Sequence, residues 1–446
     1  MGQDLSHRCR IEHRMDFQQS LITTVHDYSL GNLDSVAFNR ELTQRPTTLL
    51  IPCLMEEFSR PALGLIRDTL SNLKGLNRLV IALAAPTAAD VAHAEAFFSG
   101  MPFPVQVHWT NGPAVKELLA SLQEFNLEVM GPPGKGWAVW QGLGVATRQA
   151  EVVGLFDADI RTFSPQYPAR MLAPLLDPSQ GIAYVKAFYS RLSLETRALH
   201  GRATRLFVNP LLVSLERMLG ELNYLRYLRA FRYPLAGEFA FTTDLAMNLR
   251  IPSDWGLEVG LLSEVYRQVA ISRIAQVDLG LFDHKHKELG STPKEGLQRM
   301  CGEILSTVLR GLMEHEGVAL SDAHVPALEV LYRRVGEDRV RQHGLDSSVN
   351  GLPYDRHGEE LAVHEFANLI RPGMHQFLEQ PVSLQLPCWS RLLSCSATLR
   401  EDLALAGSQG RQSRLVSVPL APKPKLDIGR AQPGSWHQPA ASGASG

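Results

Sequence analysis

Four short apolar runs between Thr47 and Asp159 alternate with stretches of helical character, and this alternation restricts the chain more than any other feature. Thr47–Pro52, Arg78–Leu83, Val105–Trp109 and Val152–Phe156 read as strands. Leu65–Leu73, Asp90–Phe98, Ala114–Phe125 and Trp137–Arg148 read as helices, and Val115, Leu118, Leu119 and Leu122 fall on one helical face. Strands separated by helices need crossover connections, so they lie parallel with helices on both faces. The fold class is α/β, with a Rossmann-like, mostly parallel central sheet. Ligands of such sheets bind beyond the carboxyl ends of the strands.

Further along, Ile182–Phe188 and Ile271–Val277 are strand-like, and Ala203–Leu219 and Leu257–Val269 are helical. Thr292-Pro293-Lys294-Glu295 has the form of a helix start: a Thr cap, Pro in the first turn, and a Glu that completes a capping box. From there to about residue 400 the pattern is mainly helical, giving a largely helical C-terminal region. Residues 1–45 are polar and read as a helical arm; residues 406–446 are rich in Gly, Ser, Pro and Gln and read as a disordered tail. The chain then divides at 46–160, 161–290 and 291–405. A net charge of −2 over 446 residues offers no basic surface for nucleic acid. No apolar run reaches the roughly 18 residues of a membrane span. Five cysteines without a CxxC pair point to a reduced, cytoplasmic setting.

The strand Val152–Phe156 runs into Asp157-Ala158-Asp159. In extended chain the two carboxylates share a face and repel unless a cation lies between them. Mg²⁺ or Mn²⁺ takes such oxygen ligands and often bridges them to a substrate's phosphates. The same pattern also makes a common turn. Gly131-Pro132-Pro133-Gly134-Lys135-Gly136 precedes a helix, where backbone N–H groups and a lysine can hold phosphate; a rigid surface turn is the alternative, and the spacing is not that of a Walker loop. His284 in Asp283-His284-Lys285-His286 is a candidate metal ligand or part of a solvated basic loop. Glu238 lies in an apolar stretch, either lining a polar cleft or facing water from an edge strand. Asp254 and Glu258 suit a helix N-cap and first turn without any catalytic role. Gly201, Arg202 and Thr204 open a helix and could hold an anion or simply cap it.

In this order, from about Thr47 to about Lys287, these segments resemble the glucosyl-3-phosphoglycerate synthase family of retaining, A-type-fold glycosyltransferases, with mannosylglycerate synthase a more distant relative. The motifs that carry the resemblance are Pro52-Cys53-Leu54-Met55-Glu56-Glu57, Gly134-Lys135-Gly136, Asp157-Ala158-Asp159, Gly201-Arg202-Ala203-Thr204, Pro234-Leu235-Ala236-Gly237-Glu238, Gly256-Leu257-Glu258-Val259-Gly260-Leu261-Leu262 and His284. The resemblance implies nucleotide-sugar contacts at Pro52, Leu54, Glu56, Lys135, Asp157 and Ala158. It implies Mg²⁺ or Mn²⁺ on Asp159 and His284 with Asp157 nearby, and acceptor contacts at Gly201, Arg202, Thr204 and His286. Glu238 and Glu258 would be the catalytic pair, positioning donor hydroxyls or the acceptor. On this reading residues 46–160 bind the nucleotide sugar and 161–290 the acceptor. Two positions depart from the family pattern: Ala82–Thr87 has no acid where the family has an Asp/Ser-rich turn, and His286 stands where the family has Asn.

The reaction so implied is transfer of glucose from a nucleoside-diphosphate glucose to the 2-hydroxyl of 3-phosphoglycerate, with retention and no enzyme-bound sugar, in a homodimer. The sequence leaves open a mannosyl- or glucosylglycerate synthase acting on D-glycerate, and a non-catalytic nucleotide-binding protein of the same fold. It does not specify the base or sugar of the donor.

Overall fold

The computed structural model describes residues 19–28, 35–125, 127, 129, 134–284, 296–382 and 385–408. Its strands are β1 (Thr23–Val25), β2 (Thr47–Leu54), β3 (Arg78–Ala84), β4 (Val105–Trp109), β5 (Val152–Leu155), β6 (Tyr184–Arg191), β7 (Phe239–Thr242), β8 (Ile251–Pro252), β9 (Ile274–Phe282) and β10 (Gln385–Leu386). Eight of them form one sheet in the order β1-β9-β6-β7-β5-β2-β3-β4, while β8 and β10 pair antiparallel on their own. Neighbours in the large sheet are parallel except at β7, which runs antiparallel to both β5 and β6. The expected mostly parallel sheet is present, and its one reversed strand is the strand that Glu238 leads into.

Strands covered on both faces must be apolar throughout rather than alternating. All four residues of β5 are buried, as are the first five of β2. On one face the helices Pro61–Leu70, Ala88–Phe97 and Gln166–Leu176 bury Ile66, Val91 and Leu172 among other side chains. On the other, Lys135–Ala146 and Asn209–Leu219 share a core with the C-terminal helices through Trp140, Leu143, Leu211 and Leu305.

The C-terminal region is helical as expected, in Gly296–Glu316, Val325–Val349, Arg356–Glu379, Trp389–Cys395 and Leu399–Gly407. It is not a separate body. Trp389 stacks on Trp140 with ring centroids 4.9 Å apart. The Trp389 indole donates to the Trp140 carbonyl and the Trp140 indole to the Pro387 carbonyl, each at 2.8 Å. A methyl group at Gly144 would collide with the Trp389 ring, so that helix position needs glycine for the approach. The docking braces the helix whose first residue is Lys135. The expected boundary at 160/161 cuts through the sheet, because β5 pairs with β7 across it.

Several expectations are corrected. The arm at residues 1–45 is not wholly helical: Thr23–Val25 adds to the sheet edge beside β9, and only Ser35–Gln44 is a helix among the described residues. A three-residue strand is too short to show a period. The disordered tail expected from residue 406 does not hold for residues 406 and 407, since Leu399–Gly407 is helical with Leu403 and Ala404 buried. The helix read from Ala203 begins as a wider, π-type turn, Ala203–Val208, and becomes α-helical at Asn209, next to Pro210, which has no N–H to donate. The strand read from Ile271 starts at Ile274, after a short 3₁₀ turn. The capping box at Thr292–Glu295 and residues 409–446 lie outside the described residues.

Candidate active site

The apolar run of β5 ends where the chain leaves the sheet, and Asp157 and Asp159 follow at its carboxyl end. The intervening Ala158 is buried, and Ile160 bridges antiparallel to His284 just past β9. That bridge brings a histidine more than a hundred residues away onto the acidic pair. One ligand atom each from Asp157, Asp159 and His284 lies within 4.8 Å of the others. Burial, then Asp157 and Glu57, push the Asp159 carboxyl up to about 7. The alternative of a simple turn does not account for an imidazole closing on two carboxylates.

Lys135, first residue of its helix, reaches two acids of the site, Asp157 and Glu258. Its Nζ lies 2.8 Å from Asp157 Oδ1 and 3.1 Å from Glu258 Oε1. Burial pulls the ammonium toward its neutral form, but Asp157 and Glu258 overcome it and hold the pKa above the ordinary lysine value. The neighbouring glycine has another use than phosphate: a methyl group at Gly136 would strike the Pro252 carbonyl, so Gly136 lets the helix start pack onto β8. Gly131, Pro132 and Pro133 lie outside the described residues.

Glu238 does not face water. It is fully buried, and burial followed by Asp157 pushes its carboxyl up to about 8. The preceding Gly237 brings backbone against the acid–lysine pair. A Cβ there would stand 2.6 Å from Asp157 Oδ2 and 2.7 Å from Lys135 Nζ. Glu258 lies in the first turn of Leu257–Gln268, as expected, and is also bound to Lys135. Asp254 is not the N-cap of that helix, a position that Gly256 holds; its Oδ1 accepts instead from the Gly256 N–H at 2.8 Å.

Pro52 and Leu54 lie at the carboxyl end of β2, which pairs with β5, and Glu56 follows them. Leu54 is 53% exposed, as an open binding face requires. The next carboxylate, Glu57, is buried, accepts from Arg60 at 2.8 Å and adds to the negative field on Asp159. Asp90, the first acid after the Ala82–Thr87 turn, is taken up in a capping box with Thr87, so this turn offers no free carboxylate to a ribose.

On the other side, Gly201 has φ +79°, which glycine adopts without strain, and a Cβ there would lie 2.5 Å from the Tyr233 hydroxyl. Thr204 is buried. Arg202 Nε donates to Glu359 Oε1 at 2.8 Å, and Arg205 to Glu359 Oε2 at 2.9 Å. Glu359, from Arg356–Glu379, is buried between them. One carboxylate thus orients two guanidinium groups and leaves a net positive charge. His286 lies outside the described residues.

Sequence reasoning missed Glu57, Glu359 and Lys186. Glu57 was visible as the second acid of its motif, and Lys186 as the lone charge in an apolar strand. Glu359 carried no signal, being joined to its arginines across more than 150 residues.

Among the described residues no helix is long and apolar enough to cross a membrane. No family model matches the chain. It is similar to the glucosyl-3-phosphoglycerate synthase of Methanococcoides burtonii, with 40% identity over 390 residues that cover 87% of this chain and 96% of that protein. It is also similar to the Persephonella marina protein of the same name, at 34% identity over 398 residues, covering 87% and 97%. A crystal structure of the Mycobacterium tuberculosis enzyme with Mn²⁺, uridine diphosphate and glucosyl-3-phosphoglycerate superposes at a TM-score of 0.49 and 24% identity, covering 67% of this chain and 89% of that one, too distant to bear on the site. With matches of this identity along nearly the whole length of two relatives, the chain belongs to the glucosyl-3-phosphoglycerate synthase family of glycosyltransferases.

Proposed function

We propose that this chain transfers glucose from a nucleoside-diphosphate glucose to the 2-hydroxyl of 3-phosphoglycerate, retaining the anomeric configuration. The observation that carries the reading is the meeting of Asp157, Asp159 and His284 beside Lys135 at the carboxyl ends of the strands. The donor set suits Mg²⁺ or Mn²⁺, being two carboxylates and an imidazole. The local electrostatics agree. Asp157, Asp159, Glu238 and Glu258 converge on the ammonium groups of Lys135 and Lys186, and Glu57 adds to the field on Asp159. Burial first, and then the neighbouring Asp157, raise the pKa values of Asp159 and Glu238, and a cation bound among these carboxylates would offset the second of these effects.

Asp159 and His284, with Asp157, would hold the ion. When bound, it supplies Lewis-acid neutralisation of the departing diphosphate. The other tasks fall to the chain's own groups. Pro52, Leu54, Glu56 and Ala158 line the donor side. Lys135 fixes Asp157 and Glu258 and keeps a third ammonium hydrogen for a diphosphate oxygen. Glu258 and Glu238 orient sugar hydroxyls or the incoming acceptor. Arg202, held at Nε by Glu359, offers its terminal nitrogens to the acceptor phosphate, with Thr204 and the Gly201 N–H beside it. Fixing both substrates in this way turns much of the barrier into entropy lost on binding. The four described cysteines are free thiols, which suits a cytoplasmic setting.

Arg202→Ala tests the acceptor side. A lost charge-assisted contact to phosphate amounts to about 1.5–3 kcal/mol, so the KM for 3-phosphoglycerate should rise roughly 10- to 100-fold while the donor KM stays within about twofold. Arg205 still pairs with Glu359 in this variant, so no buried carboxylate is stranded. An unchanged acceptor KM would remove the phosphate assignment.

A further inference from the structure

Lys186 has no task in the reaction outlined above, yet its ammonium is fully buried in the sheet, which is costly. It lies in the run Tyr184-Val185-Lys186-Ala187-Phe188 of β6 and none of it is exposed. An ammonium taken out of water needs strong partners to persist. Its Nζ donates to the Ala236 carbonyl at 2.7 Å and lies 5.6 Å from the centroid of Phe239, its cross-strand partner. Burial brings its pKa down to about 8, against the fields of Glu258 and Glu238, which favour the charged form.

The carbonyl it grips belongs to the turn that enters the active site. Ala236 precedes Gly237, where a Cβ would meet Asp157 Oδ2 and Lys135 Nζ, and then Glu238. The next residue of β6 holds the other end of the turn, since the Ala187 N–H donates to the Glu238 carbonyl at 3.0 Å. Two adjacent residues of β6 therefore clamp Ala236–Glu238, one of them through a charged donor, which binds a carbonyl more strongly than a neutral one. A methionine would fill the same volume without holding the carbonyl, so packing alone does not call for a lysine.

We infer that Lys186 is a positioning residue for glycosyl transfer: its hydrogen bond to the Ala236 carbonyl fixes the Gly237–Glu238 turn against Asp157 and Lys135 and so sets where the Glu238 carboxyl meets the substrates. The inference rests on the reading of Glu238 as a group that orients donor or acceptor.

The test is a kinetic double-mutant cycle of Lys186→Met and Glu238→Gln in the full chain, with Mn²⁺, 3-phosphoglycerate and whichever nucleoside-diphosphate glucose the unaltered protein uses. Lys186→Met is expected to lower kcat about tenfold or more with both KM values within about threefold. Glu238→Gln is expected to lower kcat as well, and the double variant to be no worse than the weaker of the two singles. A role in stability alone would lower the melting temperature and leave the two effects multiplicative. Multiplicative effects, or kcat within about twofold in Lys186→Met, would overturn the inference. If Glu238→Gln is harmful and Lys186→Met is not, this inference falls alone; if Glu238→Gln is harmless, the role given to Glu238 falls and takes the inference with it. Should Lys186→Met not fold, Lys186→Leu, which also lacks a donor for the Ala236 carbonyl, takes its place in the cycle with the same outcomes.

Discussion

Asp159→Ala should leave a folded protein that has lost nearly all transfer activity. Asp159 is one of three side chains whose ligand atoms gather within 4.8 Å. Removing it leaves Asp157, already bound by Lys135, and His284. Lewis-acid stabilisation of a leaving group is worth several kcal/mol, so kcat/KM should fall about 10³-fold or more. Mn²⁺ affinity, measured by titration calorimetry with nucleotide diphosphate present, should fall in parallel. Stability should go the other way. Burial and two neighbouring carboxylates disfavour the charged form of Asp159, so folding at pH 8 works against that charge. Without Mn²⁺, the melting temperature of Asp159→Ala should equal or exceed that of the parent at this pH. Retained activity, or a variant that simply unfolds, would contradict the assignment of Asp159 as a metal ligand.

Gly237→Ala is the smallest change predicted to disable the site. The added methyl would come within 2.6 Å of Asp157 Oδ2 and 2.7 Å of Lys135 Nζ. Both are side-chain ends that can move, so the protein should fold with little loss of stability. They are also atoms that the proposed chemistry needs in place. A displacement of about 1 Å in such a site costs on the order of 100-fold in rate, and that loss is expected in kcat. The acceptor KM, assigned in the proposal to Arg202 and Thr204, should change little. The check is steady-state kinetics beside a thermal melt. A large drop in melting temperature with kcat preserved would show that the glycine serves packing alone.

The sheet was legible from residue pattern because parallel strands covered on both faces leave unbroken apolar runs. Val105–Trp109 was read at the bounds observed, and β2, β3 and β5 within about two residues at each end. The reversed direction of β7 was not legible, since Phe239–Thr242 is apolar whichever way it runs. The Asp-x-Asp pair could be read as a site because two carboxylates on one face of a strand end have a limited set of uses. Its histidine stands in the sequence as a candidate ligand or part of a basic loop, and only the family resemblance joins it to the pair, because the bridge from Ile160 to His284 leaves no local mark. Glu359 shows the same limit. Its tie to Arg202 is a tertiary event between a turn and a distant helix, and a Glu in the first turn of a helix looks like ordinary dipole pairing. Gly136 carries a demand that the loop's composition does not show: its missing side chain lets the helix start pack closely on β8.

The most direct measurement takes the purified full chain with 3-phosphoglycerate, Mn²⁺ and in turn the glucose derivatives of uridine, guanosine and adenosine diphosphate. Proton NMR follows the product. The account predicts, with at least one donor, a phosphorylated glucosyl glycerate whose anomeric coupling matches that of the donor, and none once the metal is chelated. An inverted anomer, transfer that survives chelation, or D-glycerate glucosylated in preference to 3-phosphoglycerate would contradict it.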